Sequence, residues 1–201
     1  MKKVIVLLSF IFLLVGCGKK SDEIVMVTEA GFAPYEFYEN GEVIGVDIEI
    51  SKKIADKLGK KLVIKDVAFD SIINELNSGK ADFAAAGMSI DPERSEKVDF
   101  SIEYITSNQV VVVKEDSDIK SIDDIKDKRI SVQLGTVADT YVTKNYKDAK
   151  INRLKKFLVA AEDVKNNKSD CIVMDAIPAN ELVKSNPELK VLDGILFQDK
   201  Y

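Results

Sequence analysis

Short runs rich in β-branched residues alternate with helical segments, and the alternation runs twice along the chain. This is the pattern of βαβ units, which fold into parallel sheets covered by helices. Residues 24–28 form a short apolar strand, and residues 35–37 and 43–46 flank Glu39-Asn40-Gly41-Glu42. An Asn-Gly pair between such runs is the strongest short signal for a hairpin. Asp47 is expected to cap a helix that turns Ile48, Ile50, Ile54, Ala55 and Leu58 mostly inward, pairs Glu49 with Lys53, and ends at Gly59. A strand over 62–67 follows, then a helix opened by Asp70 and closed near Gly79, then a strand over 83–86. After a long apolar strand over 104–113 and a charged stretch over 116–127, the pattern restarts. Strands at 129–133, 150–154 and 171–174 alternate there with helices at 138–145, 157–165 and 177–184. Two small α/β lobes joined near residues 107–112 are the economical arrangement, and a ligand is expected in the cleft between them.

The first seventeen residues read separately. Lys2-Lys3 precede an apolar run over 4–15 broken only by Ser9, followed by Gly16-Cys17. As a helix this run would reach about 18 Å, short of the roughly 30 Å of a bilayer core. A positive start and a short apolar stretch read as a secretory signal. Leu14-Val15-Gly16-Cys17 looks like a bacterial lipobox, with cleavage before Cys17 and lipid on that residue. Two or more acyl chains hold a protein on a membrane where one does not. An ordinary secretion signal with an incidental cysteine is the alternative. Cys171 is then the only remaining thiol, set in the apolar run 171–174 as a buried small hydrophobe.

Composition narrows the chemistry. The chain has no His, which removes histidine general bases, Ser-His-Asp and Cys-His nucleophiles and His-ligated zinc. With 29 Lys and Arg against 34 Asp and Glu, the net charge is −5. That field repels a polyanion, so nucleic acid is not an expected partner. Neither G-x-G-x-x-G nor G-x-x-x-x-G-K-[ST] occurs, and no Cys/His cluster offers a metal site; no cofactor is expected.

Three segments fall where strands run into helices, the position at which open α/β sheets place ligands. In the first, Gly87 to Arg94, Asp91-Pro92 defines a helix start and puts Arg94 in the first turn. A cation there opposes the helix dipole. An anionic ligand shared with Ser89 would account for it, and so would an ion pair with a neighbouring acid. In the second, Gln133-Leu134-Gly135-Thr136-Val137, backbone amides form an anion-receptive nest, although Gly-Thr turns are common in α/β proteins. In the third, Asp175 ends a buried strand, suited to capping the next helix, to facing a ligand ammonium, or to both. Phe32 and Tyr35 lie in a constrained loop that serves either a small ligand or the core.

From residue 24 to about 201 the chain resembles the bacterial extracellular solute-binding proteins of family 3, the polar amino-acid receptors of ABC importers. The likeness rests on ordered motifs: the lipobox, Phe32-Ala33-Pro34-Tyr35-Glu36, Gly45-Val46-Asp47-Ile48, Phe69-Asp70-Ser71-Ile72-Ile73, Gly87 to Arg94, Val98-Asp99-Phe100-Ser101, Gln133-Leu134-Gly135-Thr136 and Cys171 to Ala176. The resemblance implies a two-lobe, type 2 periplasmic-binding-protein fold. It implies that Arg94 grips a ligand α-carboxylate with help from Gly87 and Ser89, and that Gly135, Thr136 and Val137 donate from the other lobe. Asp175 would receive the α-ammonium, and Phe32 and Phe69 would wall the cleft. Glu29 stands where relatives that take cationic side chains often carry an acid, the alternative being an exposed strand-end glutamate. Asp91 and Val137 depart from the pattern, since Thr is common at both positions.

The implied layout is a signal peptide over 1–16, a lipidated tether over 17–23, a first lobe over 24–108, a second over 109–192, and over 193–201 the start of a return to the first lobe. Family members usually continue further, so the first lobe is expected to be incomplete and the chain truncated or a fragment. The implied protein is an extracytoplasmic, lipid-anchored monomer that delivers a free polar amino acid to an ABC permease. A dehydratase or cell-wall lyase on the same fold is the rival, with Glu29, Glu36 or Asp175 as candidate acids.

Overall fold

A computed structural model describes residues 22–201, so the signal, the lipobox and Cys17 lie outside the described residues. The first lobe is built from β1 (Glu23–Thr28), β2 (Gly31–Phe32), β3 (Glu36–Glu39), β4 (Glu42–Ile44), α1 (Val46–Lys57), β5 (Lys61–Asp66), α2 (Ile72–Asn77), β6 (Phe83–Ala84) and α3 (Pro92–Ser95). Its sheet has the order β5-β1-β6 with all pairings parallel. The segment β2-β3-β4 forms a separate antiparallel meander. Asn40 and Gly41 both take positive φ, 50° and 85°, the geometry that an Asn-Gly hairpin turn requires.

Several local expectations are corrected here. The first helix starts at Val46 with Gly45 at the cap, and Asp47 lies inside its first turn with no capping role. The backbone forces this: Gly45 has φ 129°, and a Cβ on it would lie 2.2 Å from the Tyr35 carbonyl oxygen. Glu49 pairs with Lys52 at 2.8 Å in place of Lys53. A 3-10 turn over Phe69–Ser71 precedes α2, so that helix opens at Ile72. The strand expected over 83–86 is regular only over Phe83–Ala84, although Ala85 N–H still donates to Val27 O at 3.3 Å.

The second lobe comprises β7 (Thr106–Lys114), β8 (Arg129–Gln133), α4 (Val137–Asn145), β9 (Lys150–Leu154), α5 (Phe157–Lys165), β10 (Cys171–Asp175), α6 (Ala176–Lys184), β11 (Leu189–Val191) and β12 (Phe197–Lys200). These strands make one six-stranded mixed sheet in the order β11-β7-β10-β8-β9, with β12 also on β7. Along β7, Val110 and Val112 enter one core cluster with Phe157, Ala160, Ile172 and Met174. Val111 and Val113 enter another with Ile130, Val142 and Val173. Period-two alternation into two apolar layers is what a strand covered on both faces produces.

The strand expected to begin at residue 104 begins at Thr106, and ahead of it Tyr104 and Ile105 direct their N–H groups to the Tyr201 carbonyl at 2.7 and 3.5 Å. Residues 197–200 pair antiparallel with 109–106, while Ile90 N–H of the first lobe donates to Lys200 O at 2.9 Å. The two crossings between the lobes therefore lie side by side.

Candidate functional site

A cavity of about 10 Å³, little more than the space of one water, lies between the lobes. The first lobe lines it with Glu29, Phe32, Glu36, Phe69, Ala86, Gly87, Ser89 and Arg94, and the second with Gln133, Thr136, Val137, Phe157 and Asp175. Nine of the ten ligand residues named from sequence are in that lining, and Gly135 is the tenth. Gly135 stands behind the wall with its carbonyl accepting from Arg94 Nη2 at 2.8 Å.

Arg94 is only 8% exposed although it carries a full charge. Asp91 caps α3 by accepting from the Arg94 N–H at 3.0 Å, and its other oxygen lies 3.0 Å from Arg94 Nε. Nη1 donates to Ser89 O at 2.6 Å, and the guanidinium carbon sits 5.5 Å from the Phe69 ring centre. Burial pulls the Arg94 pKa down, against the pull of Asp91 and Asp199. The ion-pair alternative is met by Asp91, and the same guanidinium lines the cavity. Ser89 donates its hydroxyl to Asp199, which comes in on β12.

On the facing side, Gly135 takes φ +82° and Thr136 caps α4, its hydroxyl accepting from Asp139 N–H at 3.2 Å and donating to Gln133 O at 2.8 Å. A Cβ on Gly135 would lie 3.2 Å from that of Asp70, so a side chain here would press on the first lobe. Asp175 precedes α6 without a capping bond. Its carboxylate turns instead toward β7 and the chain end, accepting from Ser107 Oγ at 2.6 Å and from the Tyr201 hydroxyl. Burial first, and Asp199 second, push its pKa up to about 6.

The aromatic loop divides its duties. Phe32 stacks on Phe157 and on Tyr35, each at 5.7 Å between centroids, and Tyr35 meets Tyr201 edge-on. Glu29 is 1% exposed, which removes the exposed strand-end alternative. Gln133 Nε2 donates to its Oε2 at 2.9 Å, and Lys156 Nζ lies 3.3 Å from Oε1. Burial raises its pKa, against Gln133 and Lys156. Glu36, considered from sequence only as a candidate acid, is fully buried and hydrogen-bonded to Asp47, and burial beside that acid drives its pKa well up. Asp47 in turn accepts from Gly87 N–H at 2.9 Å and from the Tyr104 hydroxyl at 3.0 Å. Ala86, Gln133 and Phe157 complete the lining without having been singled out as ligand residues. Gln133 sat inside a motif already read for its backbone, which is the signal that could have found it.

Residues 24–191 match the model of the bacterial extracellular solute-binding proteins, family 3. The arginine-binding extracellular protein ArtP of Bacillus subtilis (strain 168) is 32% identical over 191 residues, with 89% of this chain and 74% of that protein covered. The structure of holo ArgBP from T. maritima superposes with a TM-score of 0.87 at 37% identity, over 90% of this chain and 80% of the other. A second similar structure, at TM-score 0.82 and 33% identity over 89% of this chain and 79% of the other, is the ancestral amino acid-binding protein AncCDT-1, described as a precursor of cyclohexadienyl dehydratase.

Proposed function

The chain belongs to the bacterial extracellular solute-binding proteins of family 3, and we propose from that premise that it is the receptor of an ABC importer for a free polar amino acid. One observation carries the reading: an inter-lobe cavity is lined by a buried arginine from one lobe and a buried aspartate from the other. An amino acid presents a carboxylate and an ammonium on one carbon. Arg94 offers a fork for the first, and Asp175 offers an anion for the second. Gly87, Ser89, Gly135, Thr136 and Val137 complete the polar grip, and Phe32 and Phe69 flank the ligand. Binding draws residues 24–108 and 109–192 together, and the closed form is what the permease meets. Lipid on Cys17 would keep this extracytoplasmic monomer at a membrane.

A second reading has its own observation in its favour. Glu36 and Asp175 are both buried acids with raised pKa values in the same cavity, the condition in which a carboxyl can act as a general acid. A similar protein is described as a precursor of a dehydratase. Isothermal titration against the twenty amino acids, with product analysis on the same samples, separates the two. The receptor reading expects heat of binding with every ligand recovered intact. Turnover of a ligand would overturn it.

A further inference from the structure

Glu29 enters the cleft from the first lobe, and the second lobe supplies its partners. Gln133 Nε2 donates to Glu29 Oε2 at 2.9 Å and to Lys155 O at 2.8 Å, which ties Gln133 to the segment leading into α5. The next residue, Lys156, brings its ammonium to 3.3 Å from Glu29 Oε1 and 3.7 Å from Asp66 Oδ2. Asp66 is already occupied, accepting from Ala30 N–H at 2.9 Å and from the Tyr38 hydroxyl at 3.3 Å. The Lys156 side chain is 41% exposed and is absent from the cavity wall, whereas Glu29 and Phe157 line it. Lys156 therefore reaches Glu29 from the rim, leaving the opposite side of that carboxylate to the cavity.

A carboxylate so deeply buried is costly without a counter-charge. If the protein supplied none, a ligand side chain would have to bring it. Here the protein does supply one, and only when the lobes meet. A ligand side chain carrying a guanidinium or ammonium up to Glu29 meets a second cation across the same carboxylate, whereas an amide meets none. We propose that Lys156 is a specificity-determining residue: by pairing with Glu29 across the cleft it sets the preference between cationic and neutral polar side chains. The proposal rests on the amino-acid receptor reading above.

The test is titration of the mature chain with arginine and with glutamine, in wild type, Lys156→Met, Lys156→Arg and the double variant Lys156→Met/Glu29→Gln. Lys156→Met should move the ratio of the two dissociation constants toward arginine by about tenfold, the scale of one partly screened charge a few ångströms away. Lys156→Arg should leave the ratio near wild type, and the double variant should abolish the gain. A ratio unmoved in Lys156→Met, or a gain that survives without the Glu29 charge, overturns the assignment. Lys156→Gln serves in place of the methionine variant if that one loses its cooperative melt. Absence of binding to every amino acid by well-folded wild type instead overturns the receptor reading, and the role of Lys156 falls with it.

Discussion

In the second lobe all five residues of β10 are buried, and so are four of the five in β8. In the first lobe four of the six residues of the central strand β1 are buried, while the edge strands β5 and β6 bury none fully, as is true of the second lobe's edge strand β9. Position within the sheet accounts for the edge strands, and the cover over the two sheets differs as well. The second sheet has apolar clusters on both faces. The first has the cluster of Val27, Phe69, Ile72, Ala81 and Ala86, while Ile50 and Ile54 of α1 and Ile102 remain exposed beside a groove that reaches Tyr201. Parallel strands are ordinarily covered on both faces. The comparison teaches that the two walls of one cleft can stand on unequal foundations.

The largest effect is expected where the first lobe acts in spite of its thinner core. Arg94→Ala should weaken amino-acid binding by about 2–5 kcal/mol, roughly thirtyfold to several thousandfold, and lysine should not restore it fully. Titration at matched protein concentrations checks this, and wild-type affinity in the alanine variant would mean that Arg94 serves only Asp91. Next comes a direct contest between the sheets. Ile172→Ala in β10, fully buried, should cost about 2–5 kcal/mol in a denaturant melt. Ile64→Ala, on the half-buried β5, should cost clearly less, and equal losses would erase the contrast between the lobes.

Asp175 sharpens the comparison through pH. Its folded-state pKa, about 6, lies above the ordinary 3.8. The stability it lends is therefore present in full below pH 4 and is lost as pH rises through 6, a change of roughly 2–4 kcal/mol. Glu29, Glu36, Asp47 and Asp199, also raised by burial, act in the same direction. Affinity for an α-ammonium should run the opposite way, rising as Asp175 ionises between pH 5 and 7. Asp175→Asn should reduce both slopes, measured by denaturant melts and by titration across that range. The smallest effect is reserved for the open face: Ile102, 87% exposed, should tolerate Lys within about 0.5 kcal/mol. Light scattering should report less association, and a large loss of stability would show that Ile102 holds the lobe together.

The alternation of strands and helices was legible because it depends on local periodicity, and so was the Asn-Gly hairpin. Cavity-lining residues such as Arg94 and Asp175 were legible because helix starts and strand ends mark the open end of an α/β sheet. Tertiary demands were not. Asp47 looks like a cap because it precedes a helix, but its carboxylate is needed 40 residues away, at the Gly87 amide. Glu29 looks like a strand end open to water because its covering comes from Gln133 and Lys156, more than a hundred positions on. Phe157 reads as the first residue of an amphipathic helix, and only its stacking on Phe32 across the cleft gives it a second role.

The pairing of β12 with the start of β7 has a mechanical meaning. Two connections bonded edge to edge, with Tyr104 N–H on Tyr201 O, bend together far more readily than they twist against each other. Any opening of the lobes is thereby expected to be a swing about one axis, as in a door hung on paired hinges. A single angle then describes the cleft, and one pair of distance labels placed on opposite rims would follow the whole motion.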